Sequence, residues 1–196
     1  DDVVGIWTPA ITDEADATKM TGIPSLIKAT ANQSGATAGI TRNATFWFNQ
    51  LGATAITSFA TNGIERIRSM LITQKRGGEF PDVGITTDAQ FANYLNRFTT
   101  TTIYQPIKGE RFDVGVPDVR LHGLTVFPDD NCPADRFFAI NRDFLFLTLL
   151  RGNYLSFSPA MDDTDKDDTV IRLIFTGNLV SPYLKSQGVI TGGDTA

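Results

Sequence analysis

The acidic run Asp162 to Asp168, DDTDKDD, places Asp163, Asp165 and Asp167 at the first, third and fifth positions of a calcium-binding loop. Carboxylates at alternate positions are what a hard cation needs to be wrapped in oxygen ligands. The remaining positions break the pattern: Asp168 stands where the loop needs a glycine for its sharp turn, and Ile174 stands where a bidentate glutamate would close the site. A solvated turn is the reading that follows. Hydrolytic chemistry fares no better. His122 is the one histidine of the chain, it lies in a strand-like segment between Leu121 and Gly123, and no GxSxG sequence accompanies it. Cys132, in the turn Asp129-Asp130-Asn131-Cys132-Pro133, would have to borrow that same histidine to act as a nucleophile. No phosphate-binding glycine loop, dinucleotide fingerprint or zinc spacing occurs. The residues therefore point to no catalytic, cofactor-binding or metal-binding role, and no enzyme is expected.

Composition narrows the classes further. The 196 residues are enough for one large domain or two small ones with a sizeable core. No run approaches the ~18 apolar residues of a membrane helix, and no signal peptide is present, so no membrane partner is expected. A lone cysteine suits a reducing cytoplasm. The net charge of -5 opposes general adhesion to nucleic acid.

The elements that would position these residues read as mixed α+β, with about two helices and many short strands. Residues 1 to 45 read as extended arms and loops. The block Arg42 to Gln50 gathers Phe46, Trp47 and Phe48, more aromatic area than a solvated loop carries, so it is expected to dock on this subunit or a neighbour. Asn62 to Gly78 reads as a helix with a capping box from Asn62 to Glu65 and an apolar stripe of Ile64, Ile67 and Leu71 beside Met70. Lys75 and Arg76 are expected in its last turn, with Gly77-Gly78 as the stop. Val83 to Thr86 is a predicted strand, and Thr87 with Gln90 repeats the capping spacing before a second helix marked by Phe91, Tyr94, Leu95 and Phe98. Thr99 to Thr102 and the stretch through Arg111 read as a long exposed loop. Strands broken at Gly123 follow, then the turn Pro128 to Pro133 and a strand from Phe137. The apolar run Phe144 to Leu150 is ambiguous between strand and helix, and Val170 to Val180 reads as one long strand.

The succession of GIPSLI (Gly22 to Ile27), GITRNATFWFNQ (Gly39 to Gln50), the helix before PDVGITT, the unit Gly123 to Ile140 and FTGNLVSPYLKSQGVITG (Phe175 to Gly192) resembles the major capsid proteins of tailed bacteriophages. The resemblance implies the Hong Kong ninety-seven-like capsid fold: a peripheral domain with a spine helix, here residues 42–80 and 154–182, and an axial domain, here 81–153 and 183–196. Residues 1–41 would be the end of an N-terminal arm and extended loop. Most of that arm and loop is expected to be absent, so that this chain would be monomeric or form pentamers or hexamers without closing into shells. It implies a structural protein of the virion, made in the host cytoplasm, that assembles with copies of itself as pentamers and hexamers. Scaffold, portal and decoration proteins would be further partners, and the shell would enclose DNA without sequence-specific binding. On this reading the subunit-interface candidates are Phe46, Trp47, Phe48, Thr99, Thr100, Tyr104, Lys108 and Arg111. Two alternatives stand beside it: an encapsulin-like shell, and a soluble ion- or ligand-binding domain using Asp162 to Asp168.

Overall fold

The computed structural model describes residues 21–29, 35–37, 39–43, 45–52, 56, 59–101, 120–121, 123–152, 156–162 and 169–192. A short helix α1 (Ile23–Leu26) is followed by the paired strands β1 (Ala36–Thr37) and β2 (Ile40–Thr41), and by β3 (Gln50–Leu51). A π-helical turn (Phe59–Gly63) runs into α2 (Ile64–Gln74); then come β4 (Val83–Thr86), α3 (Asp88–Thr101), β5 (Arg120–Leu121), β6 (Leu124–Pro128) and β7 (Arg136–Ile140). A 3-10 turn (Arg142–Phe144) leads to β8 (Phe146–Leu149), β9 (Ser156–Phe157) and β10 (Met161–Asp162). The chain returns through β11 (Thr169–Val170), β12 (Leu173–Ile174) and β13 (Gly177–Val180). A second 3-10 turn (Leu184–Ser186) precedes β14 (Gly188–Thr191).

Six strands form a mixed sheet in the order β3-β14-β7-β4-β6-β5, with β4–β6 and β14–β3 parallel. Strand alternation sends successive side chains to opposite faces, and the two cores follow from it. Phe137 and Ala139 of β7 with Ile190 of β14 face α2 and α3, which cover them with Ile67, Met70, Leu71, Phe91 and Tyr94. Phe138, Ile140 and Val189 face the other way, onto Ile23, Leu26, Ile27, Cys132 and Leu184. The central strand β7, buried on both faces, is thus apolar from Phe137 to Ile140, and each such large side chain contributes about 1.5–3 kcal/mol of burial. Gly84 lets β4 lie this close: a Cβ there would meet Phe137 Cζ at 3.0 Å. The first core joins α2, which precedes the expected domain boundary at residues 80 and 81, to β6, β7 and β14, which follow it.

Several predicted elements stand as read, Val83–Thr86 to the residue. Others change. Asn62 lies inside the π-helical turn, and Gly63 before α2 already has helical angles (φ -58°, ψ -52°), so the helical path begins before Asn62 and not at it. α2 stops at Gln74, and Lys75 and Arg76 fall beyond it. Gly77 (φ +63°) and Gly78 make a tight turn in which Arg76 and Glu79 exchange backbone hydrogen bonds of 3.1 and 2.9 Å, rather than a helical stop. At α3 half of the expected box is present. Thr87 Oγ1 accepts from the Gln90 amide at 3.4 Å, while the Gln90 side chain turns to Thr86 Oγ1 and the Gly192 carbonyl. α3 continues through Thr101, so Thr99 and Thr100 are helical and not loop; an established helix overrides the weak propensity of a threonine run. Residues 23–26 are helical rather than extended, with Pro24 pre-setting the first turn.

Candidate assembly surface

The expected strand Val170 to Val180 is instead three short strands, because its pairing register changes along an antiparallel ribbon. Val180 pairs with Phe146 and Gly177 with Leu149 in β13–β8; Leu173 pairs with Phe157 in β12–β9; Met161 pairs with Val170 in β10–β11. Between the first two segments the outgoing strand has six residues (150–155) against two (175 and 176) on the return. The unequal spacing breaks the ladder between the two segments. Gly152, at φ +93°, follows the first segment in a backbone conformation where a side chain would be strained.

The root of the ribbon is fastened to the body. Leu145 and Leu179 pack against the second core, and the Thr21 amide donates to Asn178 Oδ1 at 2.8 Å. The Arg76 guanidinium lies 4.0 Å over the Tyr183 ring and 5.9 Å from that of Phe144, and the two rings meet at 5.5 Å. The Arg142 side chain and backbone amide both donate to the Asp82 carboxylate.

Beyond the root the ribbon is exposed. The Leu150 amide donates to the Thr176 carbonyl at 2.9 Å. By strand alternation Phe146, Leu150 and Val180 share one face and Leu147 and Leu149 the other. All five are exposed, Phe146 and Leu147 by 50 % each, and Phe157, Ile171, Leu173, Ile174 and Phe175 follow, Phe157 at 74 %. Among the described residues no third strand joins either edge. In the described parts of the ribbon from Phe146 to Ala160 and Ile171 to Val180, Arg151 and Arg172 are the charged residues.

The aromatic block divides. Asn43 Oδ1 accepts from the amides of Thr45, Phe46 and Trp47 and folds the block into a turn. That turn buries Phe48 under Lys185, whose Nζ is 5.7 Å from the ring centroid, and half-buries Trp47, whose Nε1 donates to the Thr37 carbonyl at 3.2 Å. Phe46 is left outside, 63 % exposed. Tyr104, Lys108, Arg111, His122 and residues 163–168 of the acidic run lie outside the described residues.

No constellation for chemistry accompanies these surfaces among the described residues, where no three His, Cys, Asp or Glu side chains stand close enough to hold a metal ion. Burial pushes the Cys132 thiol up to about 12 and the Tyr94 hydroxyl further, so both stay protonated. Asp88, at the start of α3, is raised by a hydrogen bond with Asp130 and by slight desolvation. The ribbon is what residue-level reading passed over. Its signal was the unbroken apolar run Phe144 to Leu150, which is written like a strand covered on both faces.

No family model matches the chain, and no curated protein does. Among solved structures it is similar to a chain of the cyanophage A-1(L) capsid asymmetric unit, with a TM-score of 0.64 and 20 % sequence identity. The match covers 96 % of this chain and 64 % of that one, so this chain spans a little under two thirds of its neighbour's length. The mixed helix-and-sheet fold is therefore that of a phage capsid chain.

Proposed function

We propose that the chain is the structural subunit of a phage head: a major capsid protein of the Hong Kong ninety-seven-like type that assembles with copies of itself around DNA. The observation that carries the reading is the likeness over 96 % of the chain to a chain from a cyanophage capsid. The described surface supports it on independent grounds. A shell subunit works through contact, and this one presents an apolar ribbon and the exposed Phe46, with Arg142 paired to Asp82 at the ribbon's root. The net charge of -5 suits an enclosure whose DNA is held by confinement and not by adhesion. In this role pentamers and hexamers are the working units, the virion is the location, and Phe46 with the stretch from Thr99 to Arg111 contributes to contacts between subunits. Scaffold, portal and decoration proteins are the expected further partners.

Negative-stain microscopy of the purified chain tests the proposal. Rings of five or six copies, or larger curved assemblies, are expected as concentration rises. A field of single small particles at every concentration would contradict it.

A further inference from the structure

We propose that Arg76 sets the direction in which the ribbon of β8 to β13 leaves the body, as a clasp between the end of α2 and both feet of the ribbon. The inference goes beyond the assembly reading and does not depend on it.

The ribbon leaves the body on two strands, and each foot carries an aromatic ring. Phe144 closes the 3-10 turn before β8, and Tyr183 stands between β13 and the second 3-10 turn. The rings meet at 5.5 Å, and the Arg76 guanidinium lies 4.0 Å over Tyr183 and 5.9 Å from Phe144. A planar cation stacks on an aromatic face in a defined orientation, which an aliphatic contact does not impose. One side chain therefore meets both feet and fixes their direction. The other ties direct the ribbon less. Arg142 holds Asp82 from the first foot alone, and its side chain is 73 % exposed, where salt screens an ion pair. Thr21 and Asn178 share a single exposed hydrogen bond. Leu145 and Leu179 add apolar contact, which has no preferred direction. No third strand supports the ribbon from the side among the described residues, so its pose is decided at the root.

Arg76 is placed in turn by α2. Gln74, the last residue of that helix, is buried and donates to the Ala139 carbonyl, which ties the helix end to β7. Arg76 follows two residues on and exchanges backbone hydrogen bonds with Glu79 across Gly77 and Gly78. A Cβ on either glycine would meet nothing within 4 Å, so nothing packs on the turn there and Arg76 is held from the helix and from the two rings. A shift of α2 is thereby passed to the ribbon.

Distance measurement between two spin labels tests this, with one label at Ile72→Cys on the exposed face of α2 and one at Thr148→Cys on β8, both exposed sites. Cys132 is buried and stays unlabelled. Dilution with unlabelled parent confines the reading to distances within one chain. The parent should give one narrow distribution, and Arg76→Ala should broaden it about twofold or more while circular dichroism stays native. Lys75→Ala, which removes the neighbouring cation from over Phe80 and touches neither foot, should leave it narrow. An unchanged distribution in Arg76→Ala, equal broadening in Lys75→Ala, or a parent that is already broad would each overturn the proposal. If Arg76→Ala does not fold, Phe144→Leu, which keeps the arginine and removes one ring, is read by the same criteria.

Discussion

Two buried side chains show how single residues hold this fold together. Gln187 acts as an extra strand residue: its Oε1 accepts from the Asn141 amide and its Nε2 donates to the Asn141 carbonyl, both at 2.9 Å, which extends the β7–β14 ladder past its last backbone pair. Replacing it with alanine strands two buried backbone groups, so Gln187→Ala is expected to lower unfolding stability by about 2–4 kcal/mol; a loss below about 0.5 kcal/mol in urea titrations would mean that water replaces the amide. Cys132 is held by burial, with its Sγ 3.7 Å from the Arg136 carbonyl. Its pKa rises from 9.0 to about 12, so the folded chain favours the thiol and the unfolded chain ionises first. The resulting stability is fully present below pH 9.0 and is lost as pH rises toward 12. At pH 10 the loss is on the order of 1 kcal/mol. Tyr94 acts in the same direction at higher pH, so the comparison that isolates the thiol is the pH 8 to pH 10 change in the parent against that in Cys132→Ser. Equal changes would contradict the assignment.

At the scale of elements, α2 and the strand it rests on are fitted through a glycine. A Cβ on Gly188 would lie 2.1 Å from Gln74 Nε2 and 3.0 Å from Met70 Sδ. Gln74, which donates to the Ala139 carbonyl at 3.3 Å, would have to leave. Gly188→Ala should therefore cost about 1–3 kcal/mol, and adding Gln74→Ala should cost less than the sum of the single changes; strict additivity would show that the two do not meet. This helix also shows what the sequence made legible. Its stripe of Ile67, Met70 and Leu71 was readable because burial on one face repeats with the helical period. Its ends were not. An Asn-x-x-Glu spacing arises inside a helical turn as readily as at its start, and Gly-Gly serves a tight turn as well as a helix stop. The ribbon was hidden for a related reason: the alternation in 170–180 is a property of one strand, while the breaks come from the length of its partner. Among the interface candidates, three adjacent aromatics announced that something docks. The turn at Asn43 is local, but which ring it seats depends on contacts distant in sequence, Trp47 with Thr37 and Phe48 with Lys185, while Phe46 stays outside.

Among the described residues the molecule combines a six-stranded body, buried on both faces, with a ribbon whose β8 and β13 segments are exposed on both faces. The body explains why one chain folds; under the proposed function the ribbon is surface left for contact. A shell subunit of net charge -5 should also leave duplex DNA unretarded in gel shifts at physiological salt, and a clear shift there would count against an enclosing role. The most direct measurement is sedimentation velocity over a wide concentration range, run on the parent chain and on Leu147→Lys with Phe157→Lys. The account predicts that the parent passes from monomer to a discrete species of five or six copies while the variant, equally folded by circular dichroism, stays monomeric. A parent that sediments as a monomer throughout, or a variant that assembles as the parent does, would contradict it.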